Sequence, residues 1–238
     1  MSCIAMAVST VSNPPSASPL QRVSHAQTGQ DILCDYFFGR YKLHPAGEPG
    51  FFVDVGCAWP IQASNTYYFY ERGWRGVCID ANSAMEKGFK AARPEDTFVN
   101  CGIGETEAEA TLYMFKDPKH NTFNPKRRET WATQPARAHL FRGERTVPIR
   151  RLSNVLDEAA PGRSRIDLLS IDVESMELEV LKSMDFGRHQ PSMVILEMLM
   201  PVSRIIEDPV TQYLLARGYE LISHTSHDTI FIKRPAKA

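Results

Sequence analysis

The chain is poor in the features that would commit it to a special class. Its five cysteines, at positions 3, 34, 57, 78 and 101, form no CxxC pair and no zinc-ligand spacing. Cys57, Cys78 and Cys101 fall in or just after apolar runs, so buried, reduced thiols in a cytoplasmic protein are expected rather than disulfides. No apolar run approaches the roughly 20 residues of a membrane-spanning helix. The short apolar run 4–8 lacks a basic start and is not expected to be a signal peptide. Neither sign of charge dominates, with a net charge of −1, so nothing global points to nucleic acid or an anionic membrane surface. No internal repeat is visible. Two glycines are also missing from a dinucleotide fingerprint: Gly56 is followed by Cys57-Ala58-Trp59-Pro60, so the second and third glycines of GxGxxG are absent. Pyrophosphate needs close approach to several backbone amides, and that loop does not offer it.

What is present is an ordinary apolar fraction, 43%, in 238 residues, enough for one α/β domain with additions. Residues 1–25 are rich in Ser, Pro and Ala and predict a disordered tail. A helix is predicted over 30–41 from Ile32, Leu33, Tyr36 and Phe37. Strands then alternate with helices: strands at 50–55, 76–80, 97–101, 166–173 and 192–197, helices at 64–72, 83–93, 153–160, 174–184 and 210–217. Short strands are expected at 111–115 and 147–150, and a final pair at 219–224 and 229–233. The pattern predicts a Rossmann-like α/β fold, with a mostly parallel sheet, an antiparallel edge strand and helices on both faces. Residues 26–238 form that single domain. Segment 117–146 reads as irregular, carrying seven Lys or Arg with Phe123, Trp131 and Phe141 between them. A lid over an acceptor and a mobile solvated loop are both open readings.

The chemistry is expected where strands end. Phe51-Phe52-Val53-Asp54-Val55-Gly56 is an apolar run delivering Asp and Gly to a turn, as a buried parallel strand delivers its carboxyl end to a ligand. Gly56 would let backbone approach a cofactor. Asp80 ends the second strand, where a carboxylate can accept both ribose hydroxyls. Asn100 ends the third, facing an adenine or bonding local backbone. Ser64 and Asn65 open the next helix and could hold the amino-acid end of a cofactor or cap the helix. Asp172 and Glu174 follow the strongest strand. In an extended segment residues two apart share a face, so both are candidates for general-base work, or, with Glu197, for holding a divalent cation. Glu174 could instead cap the following helix.

Two blocks resemble the FkbM family of S-adenosylmethionine-dependent methyltransferases. One runs from Val53-Asp54-Val55-Gly56 through Ser64-Asn65-Thr66-Tyr67 to Gly73-Trp74-Arg75-Gly76-Val77-Cys78-Ile79-Asp80-Ala81-Asn82. The other is 166–182, Ile-Asp-Leu-Leu-Ser-Ile-Asp-Val-Glu-Ser-Met-Glu-Leu-Glu-Val-Leu-Lys. Family members usually have Gly after Glu174, where this chain has Ser175, and many have a further glycine where Trp59-Pro60 stand. The resemblance implies a class I methyltransferase fold and S-adenosyl-L-methionine as cofactor. Asp54, Gly56, Ser64, Asn65, Asp80, Asn82 and Asn100 are then the expected cofactor contacts. Asp172 is the first candidate base and Glu174 the second, with no metal assigned. The acceptor would be a hydroxyl of a small molecule, such as a sugar, polyketide or other natural product. Glycosylated or carrier-bound acceptors, a homodimer, N-methylation of a peptide or amine, a metal-dependent methyltransferase, a nicotinamide enzyme and a binding module without catalysis all remain open. No nucleic-acid partner is expected.

Overall fold

The computed structural model describes residues 22–45 and 47–234. Strand β1 (Phe51–Val55) is buried along its whole length, which is why it reads as an unbroken apolar run: both faces of the sheet are covered. It lies between β2 (Arg75–Asp80) and β7 (Arg165–Ile171), parallel to both. The full sheet adds β3 (Thr97–Asn100) beyond β2, and β8 (Gln190–Glu197), β10 (Asp228–Ile232) and β9 (Glu220–His224) beyond β7, giving the order β3-β2-β1-β7-β8-β10-β9. β10 is antiparallel to both neighbours, so the antiparallel strand sits one place in from the edge and β9 runs with the rest. Strand order reverses between β1 and β7, the topological switch point where ligands bind at the carboxyl ends of strands.

Alternate side chains build two cores. Phe51, Val53 and Val55 join Leu169, Ile171, Val194 and Leu196 under α6 (Leu152–Ala159), α7 (Glu177–Lys182) and α9 (Pro209–Leu215). Phe52, Cys78, Leu168 and Ile195 face the other way, under α1 (Gln30–Tyr41), α2 (Tyr67–Tyr70) and α3 (Glu86–Ala92). A four-residue helix, α8 (Val202–Ile205), follows β8. Cys34, Cys57, Cys78 and Cys101 are buried free thiols.

Segment 117–146 departs from its irregular reading. A second sheet, β4-β6-β5, is made from β4 (Gly102–Ile103), β5 (Ala108–Phe115) and a ten-residue β6 (Phe141–Arg150). Between β5 and β6 lie α4 (Pro125–Ala132) and α5 (Pro135–Ala138). The signal for α4 was in the sequence: Asn124 caps it by accepting from the Lys126 amide, and Pro125 occupies the first turn, where a missing N–H costs nothing. The predicted tail also needs a correction. Residues 1–21 lie outside the described residues, but Arg22–His25 are tied to the domain: Arg22 pairs with Asp35, and the Ser24 hydroxyl and His25 amide both donate to Asp31.

Candidate active site

The carboxyl ends of β1, β2 and β7 converge on one cleft. At its centre the chain leaves β1 through Gly56, whose amide donates to the Ile79 carbonyl at 2.9 Å. Gly56 has φ +81°, and a Cβ there would overlap the Asp172 carbonyl oxygen. The glycine is therefore required by the packing of the loop against the end of β7, a closer constraint than the expected approach to a cofactor.

Asp80, at the end of β2, is held by two backbone donors: Ala58 at 2.9 Å and Asn82 at 2.7 Å. Burial outweighs these bonds and lifts its pKa to about 6. It lines a cleft of about 680 Å³, partly open to solvent, whose far wall is apolar: Ile79, Cys101, Ile103, Leu112 and Phe123. A flat purine would fit between such walls with its ribose at the carboxylate. Among these wall residues, Cys101, Ile103 and Leu112 were missed in the sequence as lining because they come from separate strands joined only by the second sheet, while Phe123 was expected only as part of a lid-like segment.

On the other side of Gly56 and Asp172 lies a second cleft of about 420 Å³, lined by Asp54, Ser64, Asn65 and Ser170. Lys119, from the inserted segment, borders both clefts. Asp54 accepts the Thr66 hydroxyl at 2.6 Å, and burial raises its pKa despite Arg93 nearby. Arg93 is 1% exposed and sits beneath this wall; its Nε donates to Asp96 at 2.7 Å and its Nη1 to Thr66 at 3.1 Å. Nothing in its sequence position, at the end of a helix, marked it as a support of the site. Ser64 Oγ accepts from the Tyr67 amide at 3.1 Å, at the start of α2, whose N-cap is Thr66, and still borders the cleft. Asn65 donates to Ser170 at 3.2 Å, while its buried Oδ1 has no partner among the described residues.

Two expected cofactor contacts stand elsewhere. Asn82 turns its side chain back to accept from the Ala84 amide, starting a single 3₁₀ turn. Asn100 donates to the Asp80 carbonyl at 2.8 Å, tying β3 to β2. Neither residue is in the lining of these two clefts, and both side chains bond local backbone.

β7 ends at Ile171, so Asp172 and Glu174 do not share an extended face as expected. Glu174 and Ser175 adopt left-handed φ values of +57° and +79°. This kink still brings Glu174 to the same cleft as Asp172, but its carboxylate is taken by Arg127 of α4, with His120 Nδ1 at 3.8 Å. The helix-cap alternative is not how Glu174 is used; Glu177 instead accepts from the Ser175 amide. Asp172 is enclosed, and burial together with Glu197 and Glu174 raises its pKa well above the carboxylate range. Glu197, at the end of β8, is pushed to about 7 by burial and by the carboxylates around it. Asp228, its partner across β10, is pushed to about 6 by burial and accepts from Gln30 at 2.6 Å. Among the described residues no group of three His, Cys, Asp or Glu is arranged to hold a metal ion.

A mostly parallel seven-stranded sheet with one inserted antiparallel strand is the fold of the class I methyltransferases. Residues 52–221 match the Methyltransferase FkbM domain, and the chain belongs to that family. It is 33% identical over 131 residues to methyltransferase sdnD of Sordaria araneosa, covering 46% of this chain and 48% of that protein. The chain thus spans about half the length of that curated relative. Among solved structures it is similar to a precorrin-6y C5,15-methyltransferase of Geobacter metallireducens (10% identity, TM-score 0.40, 85% and 89% of the two chains). It is also similar to a TehB-like SAM-dependent methyltransferase of Corynebacterium glutamicum (13%, 0.41, 87% and 88%).

Proposed function

We propose that the protein transfers a methyl group from S-adenosylmethionine to a hydroxyl of a small molecule, a natural product being the class in view. The observation that carries this reading is the pair of clefts meeting at Gly56 and Asp172: a carboxylate and apolar walls on one side, an unsatisfied buried acceptor, Asn65 Oδ1, on the other. The residues present fit the cofactor. Asp80 suits ribose hydroxyls, the apolar walls suit an adenine, and Asn65 Oδ1 with Asp54 and Asp172 suits the cationic amino-acid end. When bound, the cofactor supplies an already activated methyl on a sulfonium, so the protein needs mainly to align the acceptor and exclude water.

Each residue then has a task. Asp80 holds its two amides and presents its remaining lone pairs to the sugar. Asp172 meets the positive charge of the donor, which favours its ionised form. The Arg127–Glu174 pair holds the inserted segment 117–146 across the cleft, and that segment serves as a lid whose cations and aromatics select the acceptor. The buried free thiols support a cytoplasmic location. Among the described residues, no helix is long and apolar enough to cross a membrane.

Calorimetric titration with S-adenosylhomocysteine tests the donor half, and transfer of a labelled methyl to hydroxyl acceptors, read by mass spectrometry, tests the reaction. Micromolar binding and a mass gain of one methyl are expected. Binding of NAD without S-adenosylhomocysteine would reassign the site to hydride chemistry.

A further inference from the structure

Beside the cofactor clefts lies a third space of about 900 Å³, lined by Trp59, Gln62, Phe115, Lys116, His120 and Leu140 among others. It shares Trp59 and Gln62 with the cleft bordered by Asn65, and Pro118 with the cleft bordered by Asp80. A molecule entering it would approach the junction at Asp172 from the side of the inserted segment. Its lining pairs the aromatic and aliphatic surfaces of Trp59 (39% exposed), Phe115, Pro118 and Leu140 with the polar groups of Gln62 and His120 and with one amine, Lys116, beside one carboxylate, Asp117. Trp59 and Phe115 suit the faces of a flat aromatic ring, and the Lys116 amine suits an oxygen on it that becomes negative, with the Asp117 carboxylate opposing that charge.

His120 is the one group in this lining with an ordinary pKa near neutrality. Its ring stands edge-on to Trp131, with centroids 5.1 Å apart, which limits how it can turn. Nδ1 is shut away with no hydrogen-bond partner among the described residues, and lies 3.8 Å from a Glu174 oxygen. The side chain is nevertheless 31% exposed, and the open part borders the slot. A carboxylate near Nδ1 favours the tautomer with its proton there, leaving the Nε2 lone pair for the slot.

We propose that His120 is the general base for a phenolic acceptor seated against Trp59 and Phe115, with Glu174 as the residue that orients its ring. The inference rests on the methyltransferase reading. The acceptor O–H proton goes to His120 Nε2. The acceptor oxygen forms its bond to the methyl carbon as the carbon–sulfur bond breaks, the electron pair going to sulfur. His120 then releases its proton to solvent. The charged groups facing the imidazole are Glu174 and Asp117, which favour its protonation, and Lys119 and Arg127, which oppose it; burial outweighs all four and lowers its pKa. The imidazole is thus neutral and ready to accept a proton at pH 7. Glu174 is the second candidate base, after Asp172, on the chemistry of its carboxylate; its ion pair with Arg127 makes it the support instead.

The test uses the full chain and two readouts. In proton NMR of the cofactor-free protein, the His120 resonance is identified by its loss in His120→Gln. It should titrate below 6.5, shift on addition of millimolar phenol, and titrate lower still in Glu174→Gln. In turnover, His120→Gln should lose at least about a hundredfold with phenol at pH 7.5. It should lose less than about threefold with p-nitrophenol at pH 9, an acceptor already ionised and needing no base. Trp59→Ala should raise KM for both acceptors with little change in kcat. Equal losses with the two acceptors, or a His120 resonance indifferent to phenol, would overturn the base role. Failure of S-adenosylhomocysteine to bind the unaltered chain would instead overturn the methyltransferase reading, and the NMR result would not decide that.

Discussion

The two halves of the cleft are built differently. On the proposed donor side the carboxylates are already bonded within the protein, while Asn65 Oδ1 and Arg93 Nη2 are buried without hydrogen-bond partners among the described residues. Asp80 holds two amides, Asp54 holds Thr66, and Arg93 braces the wall from below. On the acceptor side the backbone at Glu174 and Ser175 is left-handed, and His120 Nδ1 and Arg127 Nε are buried without hydrogen-bond partners among the described residues. A site whose ligand is fixed can be built in advance, because its shape is the same at every turnover. Both halves keep buried polar atoms unpaired, at a cost in stability, so the difference lies in where the bonds come from: the strand ends on one side and the inserted segment, through Arg127 and Glu174, on the other.

If that contrast is right, damage to the donor side should act first on folding. Arg93→Leu leaves Asp96 and Asp54 as buried carboxylates without their cation, so a loss of about 3–5 kcal/mol is expected in chemical denaturation. A loss under about 1 kcal/mol would mean that the network is incidental. Gly56→Ala places a methyl on the Asp172 carbonyl at a φ that L residues avoid. We expect about 2–4 kcal/mol of destabilisation and at least about a hundredfold weaker binding of S-adenosylhomocysteine. Unchanged binding in a folded Gly56→Ala protein would show that the loop can move away from β7 without harm.

A smaller effect probes three carboxylates at strand ends: Asp80 of β2, Glu197 of β8 and Asp228 of β10. Asp80, Glu197 and Asp228 have pKa values raised to about 6, 7 and 6. Raised acids bind protons more tightly folded than unfolded, so the empty protein should lose stability as pH rises from about 4.5 to about 7. A cationic ligand reverses the preference and favours the ionised forms. The ratio of affinities for S-adenosylmethionine and its uncharged-sulfur product should rise by about tenfold between pH 5.5 and 7.5. Calorimetry in buffers of different ionisation enthalpy would register the released protons. A ratio flat with pH would place these carboxylates out of reach of the sulfonium.

The same division governs what the sequence could disclose. The donor half was readable because it lies on strand ends: apolar runs closing on Asp54-Val55-Gly56 and on Asp80 follow from sheet geometry alone. What misled was assuming that polar residues there face outward to a ligand, when Asn82 and Asn100 bond neighbouring backbone. The acceptor half was largely unreadable. Trp131 and His120 are drawn together, and Phe123 is brought against the cleft at Asp80, only when β6 pairs with β5 and closes a loop of twenty-five residues, a long-range event without a local pattern. Arg127 could not be paired with Glu174 for the same reason. Even the local cue that was available, Asn124-Pro125 as a helix start, was hidden among prolines that read as breaks.

Ser175 offers the gentlest test of the contrast. Its φ of +79° lies where a side chain meets the following carbonyl, and family members usually carry glycine there. The residue is exposed, and its amide, which donates to Glu177 at 3.2 Å, is unaffected by loss of the side chain. Ser175→Gly should therefore relieve strain without removing a contact. Glycine's greater freedom in the unfolded chain offsets part of that relief, so a net gain of about 0.5–1 kcal/mol is expected. Equilibrium unfolding at constant m-value measures it. If instead the variant is less stable, the left-handed turn is not a source of strain. The acceptor side would then be as settled before its ligand arrives as the donor side already is.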